Sequence, residues 1–217
     1  MKTCVIFCAG GFSALAEPIG DGDLLIAADG GFLHTKTLGL TPEVILGDFD
    51  SLGFVPETAE TFPAEKDDTD AMLAVKLGLQ KGCERFLLYG SLDGPRLDHT
   101  VANIQTLAYL ADRGKSGYLI GENQIITLLE AGELTFPEGA EGYLSVFALE
   151  ETAAGVSLRG LKYSLENAQL SPTFPLGVSN QFTGAAASVA VAEGRLLVIW
   201  QRENGLPERN GAFGKKN

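Results

Sequence analysis

The chain has 217 residues, 45% of them hydrophobic and 20% charged, a globular balance that excludes a disordered or fibrous protein. Its formal net charge of -12, from 28 acidic and 16 basic residues, excludes binding to a nucleic-acid backbone, which needs clustered Lys and Arg. The apolar run after Met1-Lys2-Thr3 is too short for a signal peptide, and no run approaches the ~20 residues of a membrane span.

In chain order, Thr3 to Cys8 reads as a buried strand ending at Ala9-Gly10-Gly11. Further apolar runs follow at Leu24 to Ala28, Val44 to Leu46 and Arg85 to Tyr89, each running into Gly and a polar residue. Between them lie helical patterns at Phe32 to Leu38, Ala71 to Gln80 and Leu97 to Arg113. This alternation predicts an α/β domain over 1–125 with an open, mostly parallel, Rossmann-like sheet whose ligand loops gather at the carboxyl ends of the strands. Past Gly121 the pattern changes to short alternating stretches: 124–129, 133–136, 143–149, 153–158, 186–192 and 195–201. Gly, Pro and Asn punctuate them, which predicts an all-β sandwich or barrel over 126–217, with Glu193-Gly194 as a hairpin turn between the last two strands. Leu196, Val198 and Trp200 alternate like one buried strand face. Cys4, Cys8 and Cys83 lack zinc-type spacing and read as reduced core thiols of a cytoplasmic protein.

Three acidic clusters carry the chemistry. Gly47-Asp48-Phe49-Asp50-Ser51 follows a predicted strand, and two aspartates one residue apart point the same way from an extended chain, offering two carboxylates to a hard cation such as Mg²⁺. A solvated turn has the same composition. Lys66-Asp67-Asp68-Thr69-Asp70 precedes a helix, where one Asp or Thr suffices as a cap and three carboxylates are more than a cap requires. Gly90 to His99 combines a Gly-containing loop, Arg96, Asp98 and His99 at a helix start, with Asn103 one turn on, a natural phosphate site. Gathered at one sheet edge, these loops would meet the needs of Mg²⁺-dependent phosphoryl transfer. The chain has neither a P-loop nor a Gly-x-Gly-x-x-Gly fingerprint.

These segments, with Ala28-Asp29-Gly30-Gly31, Gly160-Leu161-Lys162-Tyr163 and Val178-Ser179-Asn180, resemble in order the thiamine pyrophosphokinase family. Pro95 departs from the family, whose members more often carry a second Gly before the Arg. The resemblance implies a transferase that converts ATP and thiamine into AMP and thiamine diphosphate with Mg²⁺, working as a homodimer with thiamine sites between subunits. It implies Asp48, Asp50 and Asp70 as metal ligands and, with Asp98, as catalytic residues. Asp29, Lys66, Asp67, Arg96, His99 and Asn103 are implied on the nucleotide side, and Tyr163, Ser179 and Asn180 near thiamine. Asp98 and Asp50 are alternative acceptors for the proton of the attacking hydroxyl. Rival readings are a sibling pyrophosphokinase acting on a hydroxymethylpterin and a non-catalytic nucleotide or thiamine sensor.

Overall fold

Near-continuous apolar runs such as Thr3–Phe7 and Leu24–Ala28 have no polar face, so they are stable only as strands covered on both sides. The structure is a computed structural model that describes residues 1–50, 52–61, 67–149 and 152–211. It divides into two units, Met1–Glu122 and Asn123–Asn217, built on mixed β-structure with few helices.

The first unit runs β1 (Thr3–Phe7), β2 (Leu24–Ala28), α1 (Gly31–Thr37), β3 (Val44–Gly47), β4 (Glu60–Thr61), α2 (Asp70–Gln80), β5 (Arg85–Tyr89), α3 (Leu97–Ala111) and β6 (Ser116–Ile120). All strand pairings within it are parallel, in the order β6-β5-β1-β2-β3-β4. Every residue of β1, β2 and β6 is buried. Helices α1 and α2 lie against β1 and β2, and α3 against β6. The chain steps outward from β1 to β4 and then returns to the other side of β1 with β5. Ligands of open α/β sheets bind at such a reversal, beyond the carboxyl ends of the strands. The four expected strands correspond to β1, β2, β3 and β5. Strand β6 went unseen because it carries Ser116 and Gly117 and follows a charged turn, Asp112 to Lys115.

The second unit comprises β7 (Gln124–Phe136), β8 (Tyr143–Ala148), β9 (Ala153–Arg159), β10 (Leu165–Leu170), β11 (Asn180–Gln181), β12 (Ala187–Gln201) and β13 (Glu208–Asn210), paired antiparallel throughout. One expectation fails here. Glu193-Gly194 does not reverse the chain; 187–201 is a single strand, and so is 124–136. The β12–β7 register shifts between Val191 and Arg195, opposite Ala131, so residues 192–194 form a bulge. Gly194 at φ +80° and Ala131 at φ +39° supply the left-handed backbone that a bulge and a hairpin turn both demand, so composition could not separate them. The bulge lets one long strand serve two partners: 188–193 pairs with β9 and 196–200 with β8. Leu196, Val198 and Trp200 are fully buried, with Trp200 packed edge-on to Phe136 at 5.5 Å.

Candidate active site

Asp48 and Asp50 owe their common direction to the residue between them. Strand β3 ends at Gly47, and Phe49 turns left-handed, at φ +58°, into an apolar pocket formed by Ala27 and Ile45 with Phe32, Leu52 and Ala59. Phe49 is 2% exposed, and its burial offsets a backbone conformation that costs a non-glycine residue about 1–2 kcal/mol. With Phe49 held inward, both flanking carboxylates face the other way, and the Asp50 amide donates to Asp48 Oδ1 at 3.2 Å. The motif is therefore a turn pinned by an aromatic anchor, in place of the expected extended chain. Ser51 lies outside the described residues.

Asp29 joins this pair. It ends β2 at φ +47°, and its amide donates to the Leu46 carbonyl at 2.8 Å. Gly47, at φ +150°, makes the approach possible: a Cβ there would stand 3.0 Å from the Asp29 Cα. One carboxylate oxygen each from Asp29, Asp48 and Asp50 lies within 4.8 Å of the others. Three oxygens so close, with Asp29 and Asp48 half-buried and Asp50 exposed, could hold a hard divalent cation.

The loop before α2 divides its labour. Thr69 is the N-cap, its side chain accepting from the Met72 amide at 3.2 Å. Asp68 pairs with Lys76 Nζ at 2.7 Å. Neither task uses Asp67 or Asp70, and both of these line the same cavity as Asp29, Asp48 and Asp50. Asp70 stands in this cavity outside the close triplet. Lys66 lies outside the described residues.

From the other side, Gly90 to Arg96 leads into α3. Arg96 is the N-cap residue and makes no capping bond with its side chain; its guanidinium forks onto Asp98 at 2.6 and 3.3 Å. Both side chains of that pair are 64% exposed. The Arg96 guanidinium holds the Asp98 carboxyl below the usual carboxylate range. Arg96 and His99 line the cavity, whereas Asp98 is not among its lining residues. Asn103, also lining, is buried and donates from Nδ2 to the Ser91 carbonyl at 2.7 Å, so its amide braces the loop. Cys8, Gly10, Ser91 and Thr100 also line the cavity; the first three lie at or near the glycines that follow β1 and β5, the one signal that could have marked them in the sequence, and Thr100 lies in the first turn of α3. Burial, followed by the Asp70 carboxylate, pushes the Cys8 thiol up to about 12, so it remains a protonated wall atom. The cavity measures about 660 Å³.

The second unit has a smaller cavity of about 210 Å³, lined by Leu158, Tyr163, Leu165, Leu176, Gly177, Val178 and Asn180. Tyr163 is 59% exposed. Asn180 is buried and clamps the Tyr163 backbone from both ends of its amide, accepting from Tyr163 N at 3.0 Å and donating to Tyr163 O at 2.7 Å. Ser179, at φ +57°, does not line this cavity; its amide donates to Ser145 Oγ at 3.0 Å.

Comparison with known proteins gives this arrangement a family. Residues 18–119 match the model of the thiamin pyrophosphokinase catalytic domain and residues 133–196 that of the thiamin pyrophosphokinase vitamin B1 binding domain. A solved thiamin pyrophosphokinase family protein from Enterococcus faecalis is 30% identical, with a TM-score of 0.74 over 92% of this chain and 97% of that one. The chain belongs to the thiamin pyrophosphokinase family. The thiamine pyrophosphokinase of Bacillus subtilis is 28% identical over 211 residues, covering 92% of this chain and 98% of the relative. A crystal structure of the thiamine pyrophosphokinase from that species superimposes with a TM-score of 0.81, at 25% identity over 93% of this chain and 99% of the other. Members of the family are ATP-dependent transferases, and this chain is an enzyme of that kind. The cavity with its three carboxylate-bearing loops falls within and next to the catalytic-domain match.

Proposed function

We propose that the enzyme transfers the pyrophosphoryl group of ATP to the hydroxyl of thiamine, giving AMP and thiamine diphosphate, in the 660 Å³ cavity of its first unit. The observation that carries this reading is the meeting, in one cavity, of the Asp29/Asp48/Asp50 triplet, Asp67 and Asp70 with Arg96 and the Gly90 loop. We read this unit as a Rossmann-like nucleotide-binding domain and the second as a β-sandwich that binds thiamine.

The triplet suits Mg²⁺, with Asp29, Asp48 and Asp50 as its holders and Asp70 in reach of the same ligands as a further carboxylate. Bound there, Mg²⁺ would offset the charge of the triphosphate, which a protein of net charge -12 otherwise repels. Arg96 supplies a forked donor to phosphate oxygens, and Asn103 holds the Gly90 loop in place for them. Between the two candidates for accepting the hydroxyl proton, position favours Asp50, because Asp98 stands outside the cavity wall, engaged by Arg96. Tyr163 offers an aromatic face to the thiamine cation, with Asn180 fixing its backbone.

Exposed Tyr143, Phe174, Leu176 and Val178 support a homodimer that buries them, and three buried free cysteines support a cytoplasmic setting. Among the described residues, no helix is long and apolar enough to cross a membrane. Purified protein incubated with Mg-ATP and thiamine is expected to yield AMP and thiamine diphosphate in equal amounts. Absence of both products under conditions where the protein is folded would sink the proposal.

A further inference from the structure

We propose that His34 is a positioning residue for the nucleotide side of the cavity, acting through the carbonyl of Gly10; this rests on the functional reading above. His34 lies half-buried on α1, and its Nε2 stands 2.9 Å from the Gly10 oxygen. A carbonyl can only accept, so Nε2 carries the hydrogen. The ring is kept facing Gly10 by Phe12, whose centroid is 5.3 Å away, and Phe12 in turn packs edge-on against Phe7 and Tyr89.

Gly10 is where this hydrogen bond acts on the site. Its amide donates to the Gly90 carbonyl at 2.8 Å, and a Cβ on Gly10 would come within 2.4 Å of the Leu92 oxygen. The two loops thus touch backbone to backbone, and Gly10, Gly90 and Leu92 all line the cavity. A shift of Gly10 must displace Gly90 and Leu92. At its other end, α1 cannot drift: Gly31 sits so close to the end of β1 that a Cβ would meet the Phe7 carbonyl at 1.9 Å. Helix α1 also begins directly after Asp29 and Gly30. His34 therefore ties the helix that directly follows Asp29 of the carboxylate triplet to the Gly10 and Gly90 loops of the cavity wall.

The test is MgATP binding by calorimetry, with thiamine absent, alongside steady-state kinetics. His34→Ala is expected to weaken MgATP binding and raise the KM for ATP by about tenfold, the size of one lost hydrogen bond. The KM for thiamine should stay within about twofold. His34→Gln, whose amide nitrogen reaches as far as Nε2, should restore most of the loss, and the shorter His34→Asn should not. A His34→Ala protein with wild-type MgATP affinity, whatever its melting temperature, would overturn the inference, as would equal behaviour of Gln and Asn. A wild type that binds MgATP but leaves thiamine unmodified sinks the functional reading alone, while the binding comparison still decides the role of His34. A wild type that does not bind MgATP overturns both.

Discussion

The three clustered carboxylates proposed to hold Mg²⁺ make opposite demands on stability and on cation binding, and Asp50→Asn separates them. The ligand oxygens of Asp29, Asp48 and Asp50 lie within 4.8 Å of each other. Two unit charges at that distance repel by about 0.9 kcal/mol at the dielectric of water. Asp50 takes part in two such pairs, so neutralising it relieves about 2 kcal/mol at that dielectric, reduced by screening in 0.15 M salt. Asp50 is exposed, and the turn bond runs from its backbone amide, so the substitution leaves the packing of Phe49 intact. In EDTA, Asp50→Asn should therefore melt roughly 2–6 °C above the wild type. In MgCl₂ the order should reverse, because a cation at a hundredfold excess over its Kd adds ~2.7 kcal/mol to a protein that binds it. Differential scanning fluorimetry with and without Mg²⁺ reads both. A variant that melts below wild type in EDTA, or gains as many degrees from Mg²⁺ as wild type does, refutes the reasoning.

Asp48→Asn should abolish AMP formation while leaving the circular dichroism spectrum unchanged; near-normal turnover would contradict its place in the metal set. Phe49→Ala should cost about 3 kcal/mol in chemical denaturation, since it empties a buried aromatic pocket, and should also shrink the Mg²⁺-induced gain in Tm. Asp98, whose carboxyl Arg96 holds below its ordinary value of 3.8, stays ionised throughout the neutral range. Its small stabilising contribution is present above pH 3.8 and is lost as pH falls through the lower folded value, so the stability gap to Asp98→Asn should close only under acid conditions. Asp98→Asn should keep kcat within about tenfold of wild type at neutral pH, and a loss of about a thousandfold or more in kcat with the KM for ATP unchanged would reinstate Asp98 as the proton acceptor.

Which parts of this molecule could be read in advance follows from how local their causes are. The parallel sheet was legible because apolar runs closed by glycine are a local signal, and the sheet's geometry then carries Asp29, Asp48, Asp67, Asp70 and Arg96 to one cavity. The grouping of Asp29 with Asp48 and Asp50 was not legible. It depends on Gly47 letting the ends of β2 and β3 approach, a contact between segments about twenty residues apart. The anchoring role of Phe49 has no local signal, because a left-handed phenylalanine is rare and only the pocket under it makes it stable. The 193–194 bulge went the other way, since a hairpin and a bulge ask the same backbone of glycine. The family resemblance implies Asn103 and Asn180 on the ligand sides; both line the cavities, and the amide of each also holds a neighbouring backbone, a bond that residue type alone does not signal.

The preponderance of carboxylates around the cavity has a consequence for traffic into it. Among the described lining residues, Asp29, Asp48, Asp50, Asp67 and Asp70 stand with one guanidinium, that of Arg96, which already pairs with Asp98, while Asp68 pairs with Lys76. Uncomplexed ATP approaching this mouth meets a barrier that its own charge creates, whereas ATP already masked by a divalent ion meets little of it. With ATP bound in this cavity as proposed, the site would act as a sorting filter on the solution form of the nucleotide, favouring the metal complex over the bare polyanion. Raising the ionic strength would lower the barrier to bare ATP, so free nucleotide becomes a stronger competitor in high salt than in low.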